Sequence, residues 1–238
     1  MKIVTKYLLI SFFLVGLISN LSIALNSKDD INVIKEKSFP ISAGKNLIVS
    51  TGSGDVEITR WNKDEVYVKV LGNENAEEKF RFDFEANSEQ VKIKAERKGG
   101  WGWFSNIKLK FEIKVPASFN LNVNTAGGDI KIGGVKGGID LATSGGDIWG
   151  DRFEGNFSAT TSGGDVNLFC SNSKIKATTS GGDIDLDYSG LNKGIDLRTS
   201  GGDISIKVPQ NFDAEINLTT SGGDVECNLP LNNVKKLS

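Results

Sequence analysis

Thr179-Ser180-Gly181-Gly182-Asp183-Ile184 is the phrase on which the fold turns, because the chain keeps repeating it. TSGGDI or TSGGDV also begins at Thr143, Thr161, Thr199 and Thr220, TAGGDI begins at Thr125, and TGSGDV begins at Thr51. The aspartates of the later copies are Asp129, Asp147, Asp165, Asp183, Asp203 and Asp224, spaced 18, 18, 18, 20 and 21 residues apart. A fixed period near twenty residues marks a stacked repeat.

Apolar alternation enters and leaves each copy. Ile175, Ala177 and Thr179 lead in and Ile184 and Leu186 lead out; Ile195, Leu197, Thr199, Ile204 and Ile206 keep the same parity. So do Ile216, Leu218, Thr220, Val225 and Cys227. A period of two on both sides of four small residues predicts strand, corner, strand. Glycine suits such a corner because it tolerates positive φ and lets neighbouring backbones approach, and aspartate can bond to nearby backbone N–H groups. An isolated hairpin explains one copy but not seven with one corner. The expected fold is therefore all-β: a single-stranded, right-handed β-helix, or β-solenoid, of coils about 4.8 Å apart. Its coils would be 18–21 residues long, with a less regular N-terminal part. Each coil covers its neighbour's apolar edge, so the stack must fold as a stack.

Lys2 and Lys6 precede an apolar run over residues 7–18, and Ser22-Ile23-Ala24 supplies a small-x-small cleavage motif. Residues 1–24 read as a secretory signal peptide, the apolar run being too short for a membrane anchor. No cysteine stands directly after the cleavage position, and no second run is long enough to span. The expectation is an exported chain, in the periplasm, at the cell surface or outside the cell, with no transmembrane segment once mature. Residues 25–37 read as a leader, 38–229 as the solenoid domain and 230–238 as a polar tail. Within the domain, 119–229 carries the regular coils. The stretch 38–118 repeats strand patterns at Val66-Val68-Val70, Phe80-Phe82-Phe84, Val91-Ile93-Ala95 and Leu109-Phe111-Ile113. These form either wider coils of the same stack or an antiparallel block inserted into it. Pro230 and the lysines behind it read as protection of the stack's open end.

The chain has 28 basic and 30 acidic side chains; without Lys2 and Lys6 the balance is 26 to 30, a net charge near −4. That disfavours nucleic acid as a partner. Histidine is absent, which excludes Ser-His-Asp and Cys-His nucleophiles and histidine-containing zinc sites. Cys170 and Cys227 share inward parity three rungs apart, about 14 Å at the spacing of paired strands. A disulfide needs Cα atoms within about 7 Å, so two free thiols are expected.

The residues from Phe39 to Ile58, the TSGGDI series and the signal peptide together resemble the bacterial "putative adhesin" family, exported β-solenoid proteins known as a domain of unknown function. The resemblance runs from about Phe39 to Leu229. It implies a single-stranded β-helix at the envelope or surface with an adhesive role, and in some relatives a part in envelope-stress responses. It brings no catalytic residues.

Stacked coils would align Asp129, Asp147, Asp165, Asp183, Asp203 and Asp224, with Asp55 in the earlier copy, as a row of like charges. Each neighbouring pair repels by about 0.9 kcal/mol even at water's dielectric. Backbone N–H donors from the glycine corners would offset this; a row of Ca²⁺ ions is the rival. The phrase lacks the G-G-x-G-x-D pattern of calcium-binding nonapeptides, so no cofactor is expected. Carbohydrate-cleaving β-helices place paired carboxylates where the repeat breaks, whereas here the aspartates are the repeat; a carbohydrate-active enzyme is thus a minor alternative to a non-enzymatic surface scaffold or adhesin. Thr160, Thr178 and Thr219 suggest an ice-binding array, but Arg198 interrupts their column. The main rival is an envelope-stress or assembly factor that binds another envelope protein, through strand pairing at a solenoid end.

One stretch departs from the regular pattern. Lys92 and Lys94 on one side, Lys108 and Lys110 on the other, flank a glycine-rich loop carrying Trp101, Trp103 and Phe104. From Lys92 to Lys114 there are seven basic and two acidic residues. A lysine-faced strand pair with an aromatic tip suits an anionic glycan, a lipid headgroup or an acidic partner; alternatively the tryptophans cap apolar residues while the lysines solvate an outer face.

Overall fold

A computed structural model describes residues 30–99, 106–212 and 216–229. The stretches read from the sequence as a signal peptide, the start of a leader, the Trp101 loop and a polar tail lie outside the described residues. The rest is all-β apart from one six-residue helix. Its strands are β1 (Asn32–Pro40), β2 (Asn46–Thr51), β3 (Asp55–Trp61) and β4 (Glu65–Gly72), then α1 (Glu74–Lys79), β5 (Phe80–Ala86), β6 (Gln90–Arg97) and β7 (Leu109–Pro116). The repeats follow as β8 (Asn120–Thr125), β9 (Ile130–Gly133), β10 (Lys136–Ala142), β11 (Ile148–Thr160), β12 (Val166–Ser171) and β13 (Lys174–Thr178). The last are β14 (Ile184–Ser189), β15 (Ile195–Arg198), β16 (Ile204–Lys207), β17 (Ile216–Thr219) and β18 (Val225–Cys227).

These strands form two ladders. Sheet B runs β5-β6-β2-β8-β10-β11-β13-β15-β17 and sheet A runs β1-β4-β7-β3-β9-β11-β12-β14-β16-β18. The long β11 belongs to both: Ile148 to Phe153 pairs in sheet A and Asn156 to Thr160 in sheet B. Every TSGGD phrase carries the chain from sheet B to sheet A, and every repeat strand pairs parallel to the next copy. Ile148 therefore faces Val166, Val166 faces Ile184, and Ile184 faces Ile204.

Alternation places the core between the sheets. Ile130, Ile148, Val166, Ile184 and Ile204 form one fully buried column, and Val123, Leu141, Ala159, Ala177 and Leu197 form the facing one. Where neighbouring copies carry Ile132 or Leu168, the copy that begins at Thr143 has Gly150. A Cβ there would lie 2.6 Å from the Phe153 ring, which fills that volume and stacks on Phe157 with centroids 4.3 Å apart. Val225, last of the first column among the described residues, is 40% exposed.

The N-terminal half does not stack in chain order. β2 lies between β6 and β8, and β3 between β7 and β9, so the coil made by β6 and β7 sits outside the first coil, on the side away from the repeats. Both expectations for this stretch are realised at once: β6 and β7 complete a parallel coil, while β4, β1 and β5 add antiparallel strands beyond it. β1 begins at Asn32, inside the stretch read from the sequence as a leader. Phe80, Phe82 and Phe84 on β5 turn toward the core, and Phe39 stacks on Phe84. This end of the stack is thus covered by an antiparallel cap, a device repeat proteins need at their ends.

Candidate functional site

The aspartates make one continuous ladder. Oδ1 of Asp55 accepts the backbone N–H of Asp129 at 3.0 Å, and Asp129 accepts that of Asp147 at 3.0 Å. Asp147, Asp165, Asp183 and Asp203 do the same for Asp165, Asp183, Asp203 and Asp224 at 2.7–2.8 Å. A charged acceptor aimed at a backbone donor is one of the stronger hydrogen bonds, and it recurs at every step where like charges meet. The described residues hold no cluster of three or more candidate metal ligands.

Threonine and the second glycine complete the corner. Thr161 is 2% exposed; its hydroxyl donates to the Gly146 carbonyl of the preceding coil at 2.9 Å and accepts the N–H of Gly164 in its own turn at 3.3 Å. Thr143, Thr179, Thr199 and Thr220 repeat both bonds. The second glycine has no room for a side chain: a Cβ on Gly164 would stand 2.0 Å from the Gly146 carbonyl oxygen. The first glycine is open, the nearest atom to a Cβ on Gly163 being 3.8 Å away.

The sequence offered two reasons for glycine here, and only close approach applies to the SGGD corners. Among these copies positive φ occurs only at Gly54, in the divergent TGSGD copy; it recurs in the opposite corner, where the chain returns from sheet A to sheet B. There Gly134 (φ 73°), Arg152 (49°), Asn172 (49°) and Gly190 (80°) occupy successive coils.

The candidate lysines do not share a face. Lys92 and Lys94 lie on β6 in sheet B, and Lys110 on β7 in sheet A. Lys92 is opposite Glu85 and Lys94 opposite Asp83 on β5, and the Lys94 ammonium pairs with Glu96, holding that carboxyl below its usual range. Lys110 bonds Glu57 at 2.7 Å and Glu112 at 3.2 Å, which raises its pKa, chiefly through Glu57. Lys108 precedes β7, where its carbonyl accepts the N–H of Asn73 at 3.1 Å. The local excess of positive charge is met by Glu96 and Glu112 on the same two strands and by Glu57, from a strand distant in sequence. Trp101, Trp103 and Phe104 lie outside the described residues.

Sequence reading missed a second aromatic surface. Trp149 on β11 and Phe169 on β12 point outward from sheet A on adjacent rungs, and Phe169 is 49% exposed. They line an open groove of about 260 Å³ together with Asn167, Asp185 and Asp187. The available signal was an aromatic residue at outward parity, where neighbouring copies carry Lys131, Asn167 and Asp185 or Gly133, Asp151 and Asp187.

The cysteines occupy β12 and β18, three rungs apart in sheet A, and both are free. Burial, with a smaller contribution from Asp187, pushes the Cys170 thiol up to about 12.

A family model described as Toastrack DUF4097 matches residues 44–174 and again 156–237. No curated protein matches. Among solved structures, one described as a putative adhesin from Bacteroides fragilis is 15% identical, with 83% of this chain and 97% of that chain covered and a TM-score of 0.49. One described as a putative cell adhesion protein from Clostridium sporogenes is 11% identical, covering 82% and 99%, with a TM-score of 0.39. One described as a putative lipid binding protein from Parabacteroides distasonis is 16% identical, covering 81% and 96%, with a TM-score of 0.39.

Proposed function

The chain belongs to the Toastrack DUF4097 family, and from that premise we propose that it is an exported, non-enzymatic scaffold of the cell envelope or surface with an adhesive role. Residues 1–24 direct export and are removed. Residues 38–229 form one domain, whose coils wind as a single-stranded, right-handed solenoid. The observation that carries this reading is the aspartate ladder. The carboxylates that stand out in the sequence accept backbone N–H groups between coils, so they act in stacking rather than in general acid-base chemistry. The outer faces of the two sheets are then the surfaces on which contact is built.

Fractionation of cells producing a C-terminally tagged chain tests export. A mature protein beginning at Leu25 is expected in the envelope or the medium, and intact 238-residue chain retained in the cytoplasm would overturn the proposal. The aromatic tip at Trp101, Trp103 and Phe104 remains a proposed contact for an anionic glycan or lipid surface. Changing both tryptophans to alanine should then weaken binding to anionic vesicles without lowering the melting temperature.

A second reading rests on the end of the stack that no described strand covers. Ile216 and Leu218 on β17 and Cys227 on β18 are only half-buried, and Val225 is exposed. An envelope protein that adds a strand there would cover them. Pull-down from envelope extracts with the wild type and with Val225→Lys separates this reading from direct adhesion.

A further inference from the structure

We propose that the groove on the outer face of sheet A, floored by Trp149 and Phe169, binds a neutral saccharide. Phe169 stands where the same column carries Gly133, Asp151, Asp187 and Lys207 on other rungs. The half-exposed Phe169 ring does not stand alone: it shares one groove with the Trp149 ring, and a contiguous exposed apolar surface, unlike a single exposed residue, marks an interaction site. Trp149 lies one rung away on the diagonal, opposite Asn167, and the Lys131 ammonium is 4.3 Å from its ring centroid.

Polar side chains of both kinds surround these rings. Asp185 and Asp187 offer acceptors, Ser205 and Lys207 offer donors, and the Asn167 amide offers both. None of the five makes a side-chain hydrogen bond or ion pair to the protein among the described residues. The contrast with the corner aspartates is direct, since those are committed to backbone donors. Asp151, at the groove's edge, is paired with Arg152 at 2.8 Å.

A sugar ring matches this mixture. Its C–H faces lie against aromatic rings, and each hydroxyl can donate to a carboxylate and accept from an amide or ammonium. A cationic ligand would use the two carboxylates but would meet Lys207 in the groove and Lys131 beside Trp149. An anionic ligand would meet Asp185 and Asp187. The groove is smaller than the usual drug-sized pocket and open along the sheet, which suits one or two residues of a longer glycan. This inference gives the adhesive role a ligand class; it rests on that role for its setting, and the binding itself stands or falls separately.

Isothermal titration of the mature protein with cellotriose, maltotriose and N,N′,N″-triacetylchitotriose tests it. At least one trisaccharide should bind, with affinity little changed by 0.5 M NaCl, as expected for a neutral ligand. Phe169→Ala and Trp149→Ala should each weaken binding about tenfold. Phe169→Ala should leave the melting temperature unchanged, because the ring is half-exposed, and Leu191→Ala, an exposed apolar residue outside the groove, should leave affinity unchanged. Failure of all three sugars to bind at millimolar concentration, binding indifferent to Phe169→Ala, or displacement by choline would each overturn the proposal. A chain that is exported and adherent yet binds no saccharide would remove this site and leave the adhesive role standing; a chain that binds saccharide but stays in the cytoplasm would do the reverse.

Discussion

Oδ1 of Asp147 accepts the backbone N–H of Asp165 at 2.8 Å, one coil further along the stack. Asp165 offers its own Oδ1 to Asp183 at the same distance. Each aspartate from Asp129 to Asp203 is therefore donor through its backbone and acceptor through its side chain. A row that would repel as free carboxylates becomes a chain of charge-assisted bonds linking successive coils.

Replacing a central member tests the ladder. Asp165→Ala removes the acceptor for Asp183 N–H and should destabilise by about 1–2 kcal/mol, the exposure of the corner keeping the loss near the low end for a charged bond. Asp165→Asn keeps an oxygen in place and should cost less. Chemical denaturation of both variants measures the difference, and equal losses would show that the acceptor is not what matters. Addition of EDTA should leave the wild-type melting temperature unchanged, since the carboxylates bond backbone groups instead of holding ions.

The two glycines of one corner should respond oppositely. Gly164→Ala would drive a Cβ to 2.0 Å from the Gly146 carbonyl oxygen, a clash with backbone that only separation of the coils relieves, whereas Gly163→Ala meets nothing nearer than 3.8 Å. The first change should cost about 3 kcal/mol or more, and the second less than about 1. Comparable melting temperatures for the two variants would contradict the stacking distance.

Thr161 separates shape from hydrogen bonding. Thr161→Val fills the same buried space but leaves the Gly146 carbonyl and Gly164 N–H without their side-chain partner, so a loss of about 1–3 kcal/mol is expected. Thr161→Ser retains the hydroxyl and loses only a methyl group, about 1 kcal/mol. A valine variant as stable as the wild type would mean that the hydroxyl is dispensable.

Cys170 makes stability depend on alkaline pH. Its thiol is pushed up to about 12 in the folded chain, first by burial and then by the charge of Asp187, against about 8.5 when unfolded. Between those values the unfolded chain binds fewer protons than the folded one, so the contribution is complete below pH 8.5 and is lost as pH rises toward 12. Cys170→Ala should flatten that part of the stability curve. In the native wild type, iodoacetamide at pH 8 should label the half-buried Cys227 well before the buried Cys170; prompt labelling of both would show that the β12 rung opens.

The sequence by itself determined the period, the strand-corner-strand unit and the side chains that face inward, because parity in a strand is local: alternate residues take opposite faces whatever lies beyond them. From that parity alone Thr161, Ile184 and Leu197 are inward, and Cys170 and Cys227 stand three rungs apart. Tertiary structure decided which strand lies beside which. Nothing local distinguishes β6, which pairs with β2 outside the first coil, from a strand that continues the stack in order, because the choice depends on which edges distant strands leave open. The same holds for the lysines: Lys94 and Lys110 look like one basic patch until β6 and β7 take places in opposite sheets, where Asp83 lies opposite the one and Glu57 pairs with the other. The groove at Trp149 and Phe169 was hidden for a related reason. Its residues are separated by whole coils in the sequence and meet only because parallel pairing sets consecutive rungs side by side.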